Sequence, residues 1–404
     1  MDVNQPLSLL AGLSPAQFMR RHWQKKPLVV RQAIAGMQPF LSRPALFKLA
    51  AREQVESRLI VQQEKGWQMK QGPMSAKGYP PFSQPGWTLL VQGVDLHEAA
   101  GHALLQQFRF VPDARLDDLM ISFATPGGGV GPHFDSYDVF LLQASGRRRW
   151  KIGRQKDLTL QADVPLKILQ NFEPEEEFVL EAGDMLYLPP RYAHDGVAEA
   201  CVGADGKNAD CMTYSIGFRA PGQTEMAAEL LHRLAEMNED SAETSLSKAS
   251  GKSRSSRRYS DSLQEATAHP AAMPAGLLDF ASKAVLDALK DPLALACALG
   301  EHMTEPKPSV WFDEPVQDWD GDALKADKAA IVLDARTRMM YDDAHIFING
   351  ESYRAKGADA RLMQRLADSR CLDARELRKA SAGALSLLAD WHEAGWLQQM
   401  TEKP

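Results

Sequence analysis

The chain has 404 residues, 44% hydrophobic and 25% charged, the make-up of a folded soluble protein of roughly two to three domains, which excludes a peptide scaffold or a disordered tail. Its 46 Lys and Arg against 53 Asp and Glu leave a net charge of -7, which argues against a nucleic-acid-coating protein and suits an enzyme or a partner of basic proteins. The 4 cysteines form no C-x-x-C pair, no basic start precedes an apolar run, and no apolar stretch reaches about eighteen residues, so a disulfide framework, a structural zinc site, export and membrane spanning are not expected, and a reducing cytoplasmic setting is.

Ser14 followed by Pro15 predicts a capped helix ending near Trp23, and Leu28 to Val30 reads as a strand. The run to about residue 110 mixes helical and irregular signals and is expected to be support structure. From Asp117 to Phe218 the texture changes to short apolar runs between Gly, Pro and Asp turns, the pattern of an all-β barrel or sandwich. Candidate strands are Leu119 to Ala124, Val139 to Gln143, Arg148 to Ile152, Phe178 to Leu180, Met185 to Leu188 and Met212 to Phe218. The run Gly127-Gly128-Gly129 lacks phosphate-loop spacing, and no amphipathic helix follows it.

Pro221 opens a helical stretch carrying Met226, Leu230, Leu234 and Met237, and residues 238 to 272 turn polar and locally basic, expected as a solvated linker. Leu277 to Leu289 predicts an apolar helix suited to a packing layer or subunit interface. The last hundred residues combine a strand at Ile331 to Leu333, a hairpin about Asn349-Gly350, and helices around Leu362 and Leu388 ended by Gly395, resembling a winged helix. Mixed charge, with Arg361 and Arg365 beside Asp359 and Asp368, argues against DNA as its partner.

Chemistry concentrates in Pro126 to Asp135. In extended backbone His133 and Asp135 share a face roughly 6.6 Å apart along the chain, and His194, beyond Pro189-Pro190, is a third candidate. Two imidazoles and one carboxylate are the ligand set of non-haem Fe(II) oxygenases. The same spacing is equally compatible with a turn-capping His133 and a packed His194 beside Tyr192. A hairpin about Ser145-Gly146 is expected to pair Gln143 with Arg148 and to turn Arg148 inward, opposite to Arg147 and Arg149, where a buried guanidinium needs an anionic partner such as a dicarboxylate.

The order His133-x-Asp135, Tyr137-Asp138-Val139-Phe140, Gly146-Arg147-Arg148-Arg149-Trp150, Gly183-Asp184-Met185-Leu186-Tyr187-Leu188-Pro189-Pro190, His194 and Tyr214-Ser215-Ile216-Gly217-Phe218, with Trp23-x-Lys25-Lys26-Pro27 before it, resembles the JmjC-type 2-oxoglutarate oxygenases. More narrowly it is similar to the bacterial ribosomal oxygenases, which hydroxylate an arginine of protein sixteen of the large ribosomal subunit. The resemblance implies an α+β fold: a JmjC double-stranded β-helix, or jelly roll, with N-terminal helical support over residues 1–220 (motif core 117–220), a helical dimerisation region over 221–304, and a winged-helix-like domain over 305–404. It further implies Fe(II) held by His133, Asp135 and His194, 2-oxoglutarate bound by Arg148 with Ser122 as a second donor, O2 as cosubstrate, a ribosomal protein as substrate, and a homodimer. The same chemistry on a histidine, a tRNA base or a methyl-lysine, and a non-enzymatic winged-helix regulator sensing a metal or small acid, are the alternatives.

Overall fold

The computed structural model describes residues 2–64, 66–202, 209–247, 258–260, 271, 273–319 and 330–400, with backbone only over 238–247. It divides into two compact units, Met1–Ala220 and Pro221–Pro404.

The first unit opens with α1 (Pro15–Arg21). The Ser14 hydroxyl accepts from the Gln17 amide and the Gln17 side chain accepts from the Ser14 amide, a capping box that satisfies two N–H groups the helix cannot. The strands β1 (Leu28–Val30), β2 (Ser57–Gln63), β3 (Gly66–Gln71), β4 (Trp87–Val91), β5 (Leu116–Ala124), β6 (Val139–Ser145), β7 (Arg147–Gly153), β8 (Glu176–Glu181), β9 (Met185–Leu188), β10 (Ala193–Glu199) and β11 (Cys211–Phe218) build two antiparallel sheets. The larger has the order β1-β9-β6-β11-β5-β4-β2-β3 and the smaller β10-β7-β8. The N-terminal segment thus supplies, besides helices and the expected strand β1, the three strands β2 to β4, which its mixed sequence signals do not announce.

Side-chain alternation gives the larger sheet two faces. Phe140, Leu142, Met185, Tyr187, Tyr214 and Ile216 pack outward against Phe18, Leu46 and Phe108 of the N-terminal layer. Val139, Leu141, Leu186 and Leu188 point the other way and meet Trp150, Ile152 and Leu180 of the smaller sheet. This second face is the interior of the jelly roll.

The expected hairpin about Ser145-Gly146 does not form. β6 lies between β9 and β11 of the larger sheet, whereas β7 lies between β8 and β10 of the smaller, so Gln143 pairs with Thr213, and Arg148 with Leu180 and Ala198. Gly146 carries the chain around a corner between layers at a φ of 66°. The physical reason is burial: β6 is covered on both faces, and folding back on it would leave the smaller sheet without its central strand. Arg148 is turned inward by alternation within β7, where Arg148, Trp150 and Ile152 are buried and Arg147 is exposed.

A buried carboxylate ties the N-terminal layer to the barrel. Asp138 is fully buried, accepts from the Tyr187 hydroxyl at 2.6 Å and the Gln24 amide nitrogen Nε2 at 3.0 Å, and has the Arg115 guanidinium 3.5 Å away. Burial, reinforced by Asp138, pushes the Tyr187 phenol up and keeps it a donor. Trp23 stacks on Tyr187, which accounts for Trp23 and Gln24 preceding Lys25-Lys26-Pro27.

In the second unit α4 (Gln223–Ser247) runs well into the segment expected to be a polar linker, whose Ala, Glu and Ser content favours helix once started. Of the rest of that segment, only Arg258–Ser260 and Ala271 are among the described residues. Two further helices, α5 (Ala275–Ala288) and α6 (Pro292–Thr304), follow. Beyond them two three-stranded sheets and the helices Gly357–Ser369 and Ala382–Glu393 enclose a core of Ile331, Ile346, Leu366, Leu388 and Trp391. The hairpin His345–Ile348 to Glu351–Arg354 turns on Asn349 and Gly350, both at positive φ as a type I′ turn demands. No helix among the described residues is long and apolar enough to cross a membrane.

Replacing Asp138 by Ala should strand the Tyr187 and Gln24 donors and the Arg115 charge, and lower unfolding free energy in urea by about 3 kcal/mol. Unchanged urea stability would show that the network does not hold the layers together.

Candidate metal centre

His133 and His194 lie on separate stretches joined by an isolated antiparallel bridge. The His133 amide donates to the His194 carbonyl at 2.9 Å and the His194 amide donates back at 2.8 Å. Their ring centroids come within 4.2 Å. Asp135, two residues on, turns its carboxylate toward the same point, with Oδ2 at 3.7 Å from His194 Nε2. One ligand atom from each of His133, Asp135 and His194 falls within 4.8 Å of the others.

The local sequence explains the bridge. His194 sits on β10, a strand that the sequence Ala193–Glu199 does not signal because it has a central glycine and few β-formers. β10 forms because β7 pairs along one edge and the glycine loop covers the other. Gly127 N donates to Ala198 O, and Ala198 N to Gly128 O, upstream of the histidine bridge. A Cβ on Gly129 would lie 2.6 Å from the Gly196 carbonyl oxygen, and one on Gly196 would lie 2.6 Å from the Trp150 ring. The glycines are there for close approach of chain to chain.

Each imidazole is oriented through Nδ1. His133 Nδ1 donates to the Gly131 carbonyl and His194 Nδ1 to the Tyr192 carbonyl, both at 2.9 Å, which leaves each Nε2 with its lone pair. Burial, aided by His133, pulls His194 down to about 4, so it is neutral at neutral pH. Two imidazoles and a carboxylate are a donor set suited to a divalent transition metal.

The barrel interior beyond Trp150, whose ring is 5.9 Å from that of His194, is polar. Thr213 donates to the Gln143 side-chain oxygen at 2.9 Å and Gln143 to the Ser145 carbonyl at 2.7 Å. Ser122 faces this interior from β5, its hydroxyl directed at the Thr213 carbonyl at 3.4 Å. Arg148 is 5% exposed, and its Nε and Nη2 have no hydrogen-bond partner among the described residues. A buried guanidinium with two unanswered nitrogens is costly on its own and suits an anion. Tyr137 stands at the exposed rim, its phenol held protonated by burial and by the carboxylates of Asp135 and Asp118. Gln143, Thr213 and Asp118 are site residues the sequence reading did not single out; polar side chains at inward positions of otherwise apolar strands are the signal that marks them.

The two-sheet barrel with its His-Asp-His cluster is that of a JmjC-domain protein: the family model for the JmjC domain matches residues 103–226, and that for a ROXA-like winged helix matches residues 287–398. The chain is 34% identical to the ribosomal protein uL16 3-hydroxylase of Escherichia coli K12 over 83% of this chain and 84% of that protein, and 29% identical to a probable ribosomal oxygenase of Haemophilus influenzae over 89% and 87%. The structure of YcfD, a ribosomal oxygenase from Escherichia coli, in complex with cobalt and 2-oxoglutarate superposes with a TM-score of 0.76 at 29% identity, covering 96% of this chain and 98% of that one. The chain belongs to the JmjC-domain ribosomal oxygenase family.

Replacing Gly129 by Ala should push the glycine loop off β10. The backbone amides of His133 and His194 would then exchange with solvent at least tenfold faster, as read by hydrogen-deuterium exchange; unchanged protection would mean the loop is not held by this approach.

Proposed function

We propose that the chain is an Fe(II)- and 2-oxoglutarate-dependent oxygenase that hydroxylates an arginine side chain of a large-subunit ribosomal protein, the counterpart of uL16. The observation that carries the cosubstrate is Arg148, a buried guanidinium whose Nε and Nη2 have no hydrogen-bond partner among the described residues, in the same interior as the His-Asp-His cluster. Ile152 pairs with His194, and Arg148 lies four residues back on the same face, about 13 Å along the strand. A five-carbon dicarboxylate, added to the reach of an arginine and a histidine side chain, spans that separation.

In this reading His133, Asp135 and His194 hold iron and Arg148 receives the far carboxylate of 2-oxoglutarate, with Ser122 beside it as a second donor. Iron and 2-oxoglutarate, when bound, supply the oxidation: one atom of O2 enters a substrate C–H bond and the other enters succinate, with release of carbon dioxide. The protein's own groups prepare this. Nδ1–H bonds to carbonyls keep both histidine rings aimed, burial keeps His194 neutral, and Leu141, Ile152, Leu186 and Leu188 keep water from the interior. Tyr137, with the carboxylates of Asp118 and Asp135 nearby, makes a rim that favours a cationic side chain, and the net charge of -7 favours encounter with a basic protein. A ribosomal substrate puts the enzyme in the cytoplasm.

Purified protein incubated with Fe(II), 2-oxoglutarate and large-subunit ribosomal proteins should add one oxygen to an arginine of the uL16 counterpart, read by mass spectrometry; oxygen on a histidine or a nucleobase instead would overturn the arginine assignment. His133→Ala and Asp135→Ala should abolish product. Arg148→Ala should raise the KM for 2-oxoglutarate roughly thirtyfold, the equivalent of about 2 kcal/mol for a charge-assisted contact, and an unaltered KM would remove Arg148 from cosubstrate binding.

The dimer belongs to the same proposal. Among the described residues nothing buries a side chain of α5, and Leu278, Val285 and Leu286 are each more than half exposed, an apolar face that a second copy would cover. A Leu278→Glu/Leu286→Glu variant should elute as a monomer in size-exclusion chromatography with light scattering, whereas the parent should be a dimer; identical masses would place the interface elsewhere.

A further inference from the structure

Between β9 and β10 the chain makes the turn Pro189-Pro190-Arg191-Tyr192, closed by the Tyr192 amide donating to the Pro189 carbonyl at 3.3 Å. A proline at its second position and a positive φ at its third, 62° at Arg191, mark a type II turn, whose third position ordinarily takes glycine or asparagine. Arginine there holds a left-handed backbone that L side chains resist. The Arg191 side chain is exposed, so packing does not explain the conformation.

The backbone does. The Arg191 amide donates to the Asp135 carbonyl at 2.7 Å, and the carbonyl of the next residue, Tyr192, accepts from His194 Nδ1 at 2.9 Å. One four-residue turn therefore grips the main chain of the carboxylate and the ring of an imidazole. We propose that Arg191 is a positioning residue for the metal centre, acting through its left-handed backbone and not through its guanidinium. Moving its φ to negative values takes the N–H off Asp135 and reorients the peptide that leads to the Tyr192 carbonyl, so both ligands lose their alignment together. The preceding pair of prolines leaves the turn little freedom to compensate. The inference rests on the metal reading of the site.

The test is Co(II) titration followed by its visible d–d absorption, with the thermal midpoint of the metal-free protein reporting the fold. Arg191→Gly keeps the N–H and accepts a positive φ, and should bind Co(II) like the parent with the same spectrum. Arg191→Val keeps the N–H but disfavours that φ, and Arg191→Pro removes the N–H and fixes a negative φ. Both should lose at least about tenfold in Co(II) affinity, with a changed spectrum. Parent-like affinity and spectrum in Arg191→Val would overturn the proposal, as would an equal loss in Arg191→Gly, which would assign the effect to the guanidinium. Should Arg191→Pro fail to fold, the valine and glycine variants decide. A parent protein that binds Co(II) no better than His133→Ala would refute the metal reading itself, an outcome distinct from a parent that binds and variants that match it.

Discussion

Two backbone hydrogen bonds, exchanged between His133 and His194, are the constraint on which the rest of the site depends. They bring together residues sixty-one positions apart in the chain and bind the glycine loop to β10. With the rings side by side, each Nδ1 finds a carbonyl of its own loop, and the two Nε2 atoms converge with the Asp135 carboxylate. Main-chain hydrogen bonds fix this arrangement, which reduces the conformational entropy lost on binding an ion.

The interior is organised by a second constraint, the cost of buried polarity. Jelly-roll strands place alternate side chains inside, and most are apolar here, so the few inward polar groups stand out. Thr213 and Gln143 satisfy one another and the nearby backbone. Among the described residues Arg148 Nε and Nη2 have no such answer, and donors left buried in that way are costly. The contrast with Asp138 is instructive: it is more deeply buried, yet Tyr187, Gln24 and Arg115 answer it, and its role is to join layers.

The second unit joins one exposed helix to a packed core. α5 is helical from Ala275 to Ala288, yet among the described residues none of its side chains is buried. The winged-helix portion has a compact core around Leu366, Leu388 and Trp391, and its ion pairs, such as Arg365 with Glu376, set charges of opposite sign side by side. The family match over residues 287–398 begins within α5 and takes in α6, which packs on the strand His345–Ile348.

What the sequence by itself determined was whatever depends on near neighbours. The capping box at Ser14, the Asn349-Gly350 hairpin, the period-two texture of the strands and the His133-x-Asp135 spacing are local, and each is legible from a few residues. The inward direction of Arg148 was legible too, although the hairpin reasoning behind it fails: parity along β7 survives a change of partner strand, because a side chain's face is set by its own position in the strand. Tertiary structure alone decided the rest. β10 exists through pairing with β7 and a glycine loop, since Ala193–Glu199 has little strand propensity of its own. The corner at Gly146, the strands β2 to β4, and the meeting of Gln143, Thr213 and Ser122 in one interior depend on which strands join which sheet. That choice is made by burial over the whole barrel, a sum of long-range contacts that no local window contains.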